Sequence, residues 1–296
     1  MKPSDIRWNT VEEYYAKMFG KRNRAEKPNP MLENILRTLE ENRPAGVDIQ
    51  AIIDGEECYN SDMPTALEKA LEYGLAATMP ELIAAKLEAD KDHAFWKKYF
   101  TTHSEENIGP NLKESERKYY KKSEHLLVVV HGGGLLTPER IRQAYQEGLN
   151  EGSAVYTDEE WTNLLKGKLP GGIKLYTLEQ VMKGIEKPHR FGVVMPYSMA
   201  QQTESGYHQK QPFLDNPLVI ARNGGLENLD EYYEKAKHSD GDLGNHHPFQ
   251  DRDASTPGGR LLVLGNNYDG LYGVIILYGN GRFVGVAPEA PWVRKK

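Results

Sequence analysis

The sequence predicts an α/β fold: a mixed, mostly parallel sheet flanked by helices, with a C-terminal hairpin and a helical N-terminal region ahead of it. Three observations predict it. From residue 124 onward, apolar runs of strand length alternate with helix-like segments, which implies crossover connections between parallel strands. Leu126 to Val130 is an unbroken, valine-rich run of the kind buried on both faces, and His131-Gly132-Gly133-Gly134 carries it into the helix start Thr137-Pro138-Glu139. The first hundred residues show helical spacing with proline and capping signals.

Taken in order, Asn9 to Glu12 has capping-box spacing ahead of Val11 to Phe19, and Gly20 closes that helix. A second helix runs from Pro30 through Met31, Ile35, Leu36 and Leu39 to a stop at Arg43-Pro44. Pro64 and Pro80 each open a further helix at the favoured first position, the latter continuing through Phe95 to Phe100. Trp8, Tyr14, Tyr15, Trp96, Tyr99 and Phe100 fall at helical spacings and read as packing residues. Polar residues, Gly109-Pro110 and a charged run then mark a boundary, so residues 1–105 are expected to be helical, 106–123 to be a linker and 124–296 to form the α/β core.

Within that core, strands are expected at Leu126 to Val130, Ile173 to Tyr176, Phe191 to Pro196, Leu218 to Ala221 and Leu261 to Leu264. Helices are expected at Pro138 to Leu149, Asp158 to Leu165, Leu178 to Ile185 and Leu226 to Lys237. Tyr278-Gly279-Asn280-Gly281, between apolar runs at Gly273 to Leu277 and Arg282 to Val286, is a hairpin signal.

A chain of 296 residues with 39% hydrophobic and 27% charged residues is ordinary for a water-soluble globular protein. A net charge of -6 argues against a dedicated nucleic-acid binder, which needs a basic face. The longest apolar stretches fall short of the roughly 20 residues that span a bilayer, and Met1 to Asp5 leads into no apolar signal segment. A single cysteine, Cys58, beside Glu56 and Glu57, fits a reducing compartment and a structural role. The expected location is therefore cytoplasmic, with no membrane partner.

The glycine turn is the first candidate for chemistry. Backbone N–H groups at Gly132, Gly133 and Gly134, helped by Thr137 at the helix start and by Arg222, are placed to bind an anionic group or a developing oxyanion. The turn lacks the Gly-Lys-Ser/Thr ending of a P-loop and the spacing of a dinucleotide fingerprint. His131 followed by three glycines after a strand resembles the oxyanion-hole signature of lipases and esterases of the α/β-hydrolase class. That resemblance implies a nucleophilic serine in a Gly-x-Ser-x-Gly elbow. The nearest counterpart is Ser198 in Pro196-Tyr197-Ser198-Met199-Ala200, where Pro196 and Ala200 stand in place of the glycines.

A second candidate is His238 to Asp253, which holds three of the nine histidines. His238, Asp240, Asp242, His246 and His247 offer ligands for zinc or manganese, and Asp242, His246 and His247 offer acid-base groups, although no standard ligand spacing is met. The solvated-loop alternative has equal weight, since aspartates also make turns. Tyr197 to Gln211 and Gly265 to Gly270 follow strands and are further candidates for lining a cleft.

The reading that joins these features is a hydrolase of a small, anionic ester, phosphoester or amide, with His131, Ser198, Asp242, His246 and His247 as catalytic candidates. One alternative is a nucleotide- or phosphometabolite-binding transferase using the same glycine turn. Another is a non-catalytic binding or assembly protein, with the N-terminal helices covering the core or mediating homo-oligomerisation.

Overall fold

The computed structural model describes residues 49–51, 62–72, 75–92, 94–186, 188–266, 270–273, 277 and 279–286. The helices expected before residue 45, with Trp8, Tyr14 and Tyr15, lie outside the described residues, as do Cys58, Asn267, Tyr268, Asp269 and Tyr278.

Two sheets organise the described residues. The smaller joins β1 (Ile49–Ala51), β12 (Val284–Val286) and β2 (Leu75–Ala76), all antiparallel, so the two ends of the described chain are paired. The larger runs in the order β6 (Leu175–Thr177), β7 (Phe191–Pro196), β4 (His125–His131), β3 (Phe100–Pro110), β10 (Gly258–Leu264), β11 (Leu271–Gly273), β9 (Leu243–His246), β8 (Gly206–His208). The short β5 (Ala154–Val155) pairs with the start of β10.

The expectation of a mostly parallel sheet is overturned. Only β6 with β7 and β11 with β9 are parallel; the other pairings in the larger sheet are antiparallel. Helices between strands signal a parallel sheet only if each connection is a simple crossover. Here the connection from β4 to β7 detours through β5 and β6, and β7 returns antiparallel to β4. The expected C-terminal hairpin is also absent from the described residues, because β11 joins the larger sheet and β12 the smaller.

The largest departure is β3. Residues 106–123, expected to link two parts of the chain, begin inside this central strand, which pairs along its length with β4 and β10. Its polarity hid it. Thr101, Thr102, Ser104, Glu105, Glu106 and Asn107 are all buried. Burial of that much polarity requires partners. Thr102 Oγ1 donates to the Leu262 carbonyl at 3.0 Å, and Asn107 Nδ2 donates to the Val128 carbonyl at 3.2 Å.

The strand predicted at Leu218 to Ala221 is instead helix, within Pro217–Asn223. A short run that is apolar on every side does not distinguish strand from buried helix. The ends decide it: Asn216 Oδ1 accepts from Leu218 N at 2.9 Å, Pro217 sits in the first turn, and Gly224 closes the helix in the left-handed region at φ +68°.

The helix expected to run from Pro80 to Phe100 ends at Glu88, Phe100 opens β3, and short elements at 197–201, 206–208, 210–214 and 243–246 are unexpected, whereas the helices opened by Pro64, Pro138 and Asp158 follow the sequence. Numbered in chain order, the helices are α1 (Met63–Glu72), α2 (Met79–Glu88), α3 (Ala94–Lys97), α4 (Pro138–Glu147), α5 (Asp158–Leu165), α6 (Leu178–Met182), α7 (Tyr197–Gln201), α8 (Lys210–Leu214), α9 (Pro217–Asn223) and α10 (Leu229–Ala236). Strand β4 is buried on both faces, as its valines predict. Leu127 and Val129 join a core with α2, α9 and α10, whereas Leu126, Val128 and Val130 face Trp161, Leu164 and Leu165 of α5. A third cluster packs α1 and α4 against Leu261 and Val263 of β10. The helices before residue 105 that are described thus cover the sheet and belong to its cores.

Helix α5 starts with a reciprocal capping box: Thr157 Oγ1 accepts from Glu160 N at 3.1 Å, and Thr157 N donates to Glu160 Oε2 at 2.7 Å. Thr157→Ala is expected to cost about 1 kcal/mol in a urea titration. A loss below about 0.3 kcal/mol would mean that the cap is redundant with the packing of Trp161.

Candidate functional site

Adjacent residues of a strand face opposite sides of the sheet, so Glu105 and Glu106 of β3 serve two different sites. Both carboxyl groups are buried, and each meets a feature singled out in the sequence.

Glu105 fills the glycine turn. Leu135 N donates to its Oε1 and Leu136 N to its Oε2, each at 2.8 Å, and Asn107 Nδ2 donates to Oε1 at 3.1 Å. Burial pushes its carboxyl pKa up, against the lowering effect of the Leu135 and Leu136 N–H groups and Asn107. Gly132 N and Gly133 N donate to the His103 carbonyl at 2.9 and 3.2 Å. Both glycines have positive φ, +76° and +90°, which explains why the turn needs them. Gly134 faces the Glu105 carboxyl so closely that an added Cβ would lie 2.6 Å from Cδ. Thr137 caps α4 by accepting from Arg140 N at 3.2 Å. The donors expected at Gly132 and Gly133 are thus spent on a backbone carbonyl, and the N–H groups that hold a carboxyl are those of Leu135 and Leu136, with a side chain of the same protein as the occupant.

His131 is equally committed. It is buried; its Nε2 lies 3.1 Å from the Ala221 carbonyl and its Nδ1 2.9 Å from Ser104 Oγ. A carbonyl only accepts, so Nε2 carries the proton in the neutral ring and Nδ1 accepts from the serine hydroxyl. Ser104 Oγ in turn accepts from Met79 N at 2.9 Å. Ser198 is exposed on the first turn of α7, while His131 is buried. The two do not form a nucleophile and base.

Glu106 lies on the opposite face, against Arg222. Arg222 Nε and NH2 donate to Glu106 Oε2 at 2.9 and 2.8 Å, with both side chains 0% exposed. NH1 of Arg222 donates to Asn245 Oδ1 at 2.7 Å and to the carbonyls of His246 and Leu271 at 3.0 and 3.1 Å. Arg222 therefore pins α9 to β3, β9 and β11, and its expected partner, an external anion, is replaced by Glu106. Burial is the largest single influence on Glu106 and opposes its ionisation, but the Arg222 guanidinium and His247 together outweigh it and hold the carboxyl down at about 2. His247 Nδ1 sits 3.4 Å from Glu106 Oε1.

The histidine and aspartate segment does not assemble as expected. His246 is in β9, with its ring edge-on to Tyr207 and Tyr272; burial, then Arg222 and His208, lower its pKa to about 4. His238, Asp240 and Asp242 lie at the tight turn before β9, where His238 N donates to the Asp242 carbonyl at 2.7 Å. His238 Nδ1 is 3.2 Å from Asp240 Oδ2, with His238 half-buried and Asp240 exposed. Among the described residues, no group of three or more His, Cys, Asp or Glu side chains is placed to hold a metal ion. The expected metal centre at His238, Asp240, Asp242, His246 and His247 is thus corrected: His246 in β9 and His247 just after it are buried, while His238, Asp240 and Asp242 stay in the turn before the strand.

Sequence reasoning passed over two arginines at this site. Arg252 and Arg260 are buried, and their guanidinium carbons lie 5.1 and 4.2 Å from the centre of the Phe249 ring. Arg252 sits between Asp251 and Asp253, a pattern that reads as solvated surface. The available signal was the glycine pair Gly258-Gly259 opening a strand, which marks a close approach. A Cβ on Gly258 would lie 2.6 Å from Arg252 NH2.

A solved structure reported in work on the accommodation of massive sequence variation in Nanoarchaeota by the C-type lectin fold is 31% identical to this chain. The match covers 77% of this chain and 94% of the solved one, with a TM-score of 0.56. The chain belongs to the C-type lectin fold family. No protein-family model matches it, and no curated protein matches it. Membership of the C-type lectin fold family overturns the expected α/β class and, with it, the hydrolase reading built on the resemblance of His131 to Gly134 to an oxyanion hole. Among the described residues, no helix is long and apolar enough to cross a membrane.

Proposed function

We propose that the protein is a non-catalytic binding protein that presents a variable-tolerant surface on a C-type lectin scaffold. The observation that carries this reading is its 31% identity to a solved C-type lectin fold over 94% of that chain. The commitment of His131, Arg222 and the glycine turn to internal hydrogen bonds supports it, since each candidate catalytic group there already has a structural role.

The contact surface we assign is the turn 238–242 with the neighbouring edge strand β8. Two backbone bonds close this turn, from His238 N to the Asp242 carbonyl at 2.7 Å and from Gly241 N to the His238 carbonyl at 2.9 Å. Ser239 and Asp240 are exposed, so their side chains can change without disturbing the strands that hold them. Loops on a rigid sheet are a usual place for recognition residues.

The test presents the labelled full chain to arrayed glycans and peptides, with p-nitrophenyl acetate and phosphate assayed alongside. Saturable retention is expected, weakened at least tenfold by Ser239→Arg with Asp240→Arg, with no turnover above background. Turnover that disappears in Ser198→Ala would overturn the reading.

A further inference from the structure

Arg252 is buried against the Phe249 ring and makes no ion pair among the described residues. Its side chain is 4% exposed as a residue, and Nε, NH1 and NH2 all lack a hydrogen bond. The carboxylates whose charges act on it are those of Glu151 and Asp253, and neither forms an ion pair or hydrogen bond with it among the described residues. Asp253 accepts from Ser255 N at 2.9 Å and Ser255 Oγ at 2.6 Å. Tyr156 OH donates to Asn107 Oδ1 at 2.7 Å, and Tyr197 OH donates to the carbonyls of Phe249 and Arg252. Neighbouring Arg260 donates to the Glu151 carbonyl at 3.0 Å and Ser153 Oγ at 2.6 Å, both uncharged acceptors.

A buried guanidinium with no ion pair is among the costlier features a fold can carry, and five N–H donors left without acceptors add to that cost. The strand makes room for it: Gly258 stands where any side chain would meet NH2 at 2.6 Å, and the Phe249 ring supports the guanidinium at 5.1 Å. The turn that covers it, between His247 and Asp253, has Asp251 and Asp253 exposed on its outer side.

We infer that Arg252 is the anchor of a carboxylate-binding site, lined by Phe249 and Gly258, that takes one planar carboxylate on its guanidinium fork. The charge match selects the class. Two parallel N–H donors without acceptors match the two oxygens of one carboxylate, whereas a phosphate with nearly two charges asks for further donors. This site is distinct from the turn 238–242 and goes beyond the binding reading, which it neither needs nor settles.

The test is the melting temperature of the full chain in carboxylate-free buffer, titrated with acetate against chloride at equal ionic strength. Acetate is expected to raise it saturably, by about 5 °C at a hundredfold excess over Kd. A blocked peptide bearing one aspartate separates a free acid from a carboxylate carried on a polypeptide, and a response to either supports the class. Arg252→Met is expected to melt higher than the parent without acetate, because the unpaired charge is gone, and to lose the acetate response. Arg252→Lys keeps the charge without the fork and is expected to bind at least tenfold more weakly, which keeps the test decisive if the methionine variant fails to fold. No acetate response in the parent, an unchanged response in either variant, or a response to phosphate alone overturns the proposal. Retention on the arrays with no acetate response leaves the binding reading standing and this site refuted.

Discussion

Arg222→Met is expected to destabilise the protein by about 3–5 kcal/mol, the range seen when one member of a buried ion pair is removed. The substitution strands the Glu106 carboxylate at 0% exposure and also leaves Asn245 Oδ1 and the carbonyls of His246 and Leu271 without their donor. Chemical denaturation of the variant measures it, and a loss under about 1 kcal/mol would mean that the pair is not the tie between α9 and the sheet. The pH dependence gives a second reading of the same interaction. The folded pKa of Glu106, about 2, lies below its ordinary 4.5, so its contribution is present above pH 4.5 and lost as pH falls toward 2. His246, at about 4, and His103, at about 3, have folded values below 6.5, so they also withdraw stability as pH falls below 6.5. Glu105, whose carboxyl is pushed up by burial, acts with the opposite sign, favouring the fold below pH 4.5 and less so above it. Replacing Arg222 is expected to flatten the Glu106 part of the acid slope between pH 4.5 and 2 and to reduce the His246 part, while the His103 part remains.

What could be read from the sequence depended on whether local physics or distant partners fixed each residue. Strand β7 and helix α5 fall where their apolar spacing and caps put them, at Phe191–Pro196 and Asp158–Leu165. Strand β3 could not be read that way. Its Thr102, Ser104, Glu106 and Asn107 are satisfied by Leu262, His131, Arg222 and Val128, all far away in sequence, and to a local window they look like a linker. The glycine turn was legible as a special bend, but its donors were not: Gly132 N and Gly133 N go to the His103 carbonyl, and the N–H groups of Leu135 and Leu136 take Glu105, 30 residues from Leu135. Arg222 was legible as an anion binder and illegible in its choice of Glu106, 116 residues away. Strand direction was the other failure, since parallel and antiparallel strands buried on two faces share one hydrophobic pattern.

Gly134→Ala carries the second large effect, because it tests whether the glycine turn exists to hold Glu105. The added methyl would overlap Glu105 Oε1 and lie 2.6 Å from Cδ and 3.0 Å from Val130 Cγ1. The carboxyl cannot move aside without giving up Leu135 N and Leu136 N, and those buried N–H groups would then have no acceptor. Two orphaned donors at about 1–3 kcal/mol each, with the strain of an overpacked core, put the expected loss at about 3–5 kcal/mol. Glu105→Ala beside it separates the causes. That single change orphans the same two N–H groups but leaves room, so adding Gly134→Ala to it is expected to cost less than about 1 kcal/mol more. A Gly134→Ala loss that persists undiminished in the Glu105→Ala background would show that the glycine serves the bend of the chain and not the carboxyl.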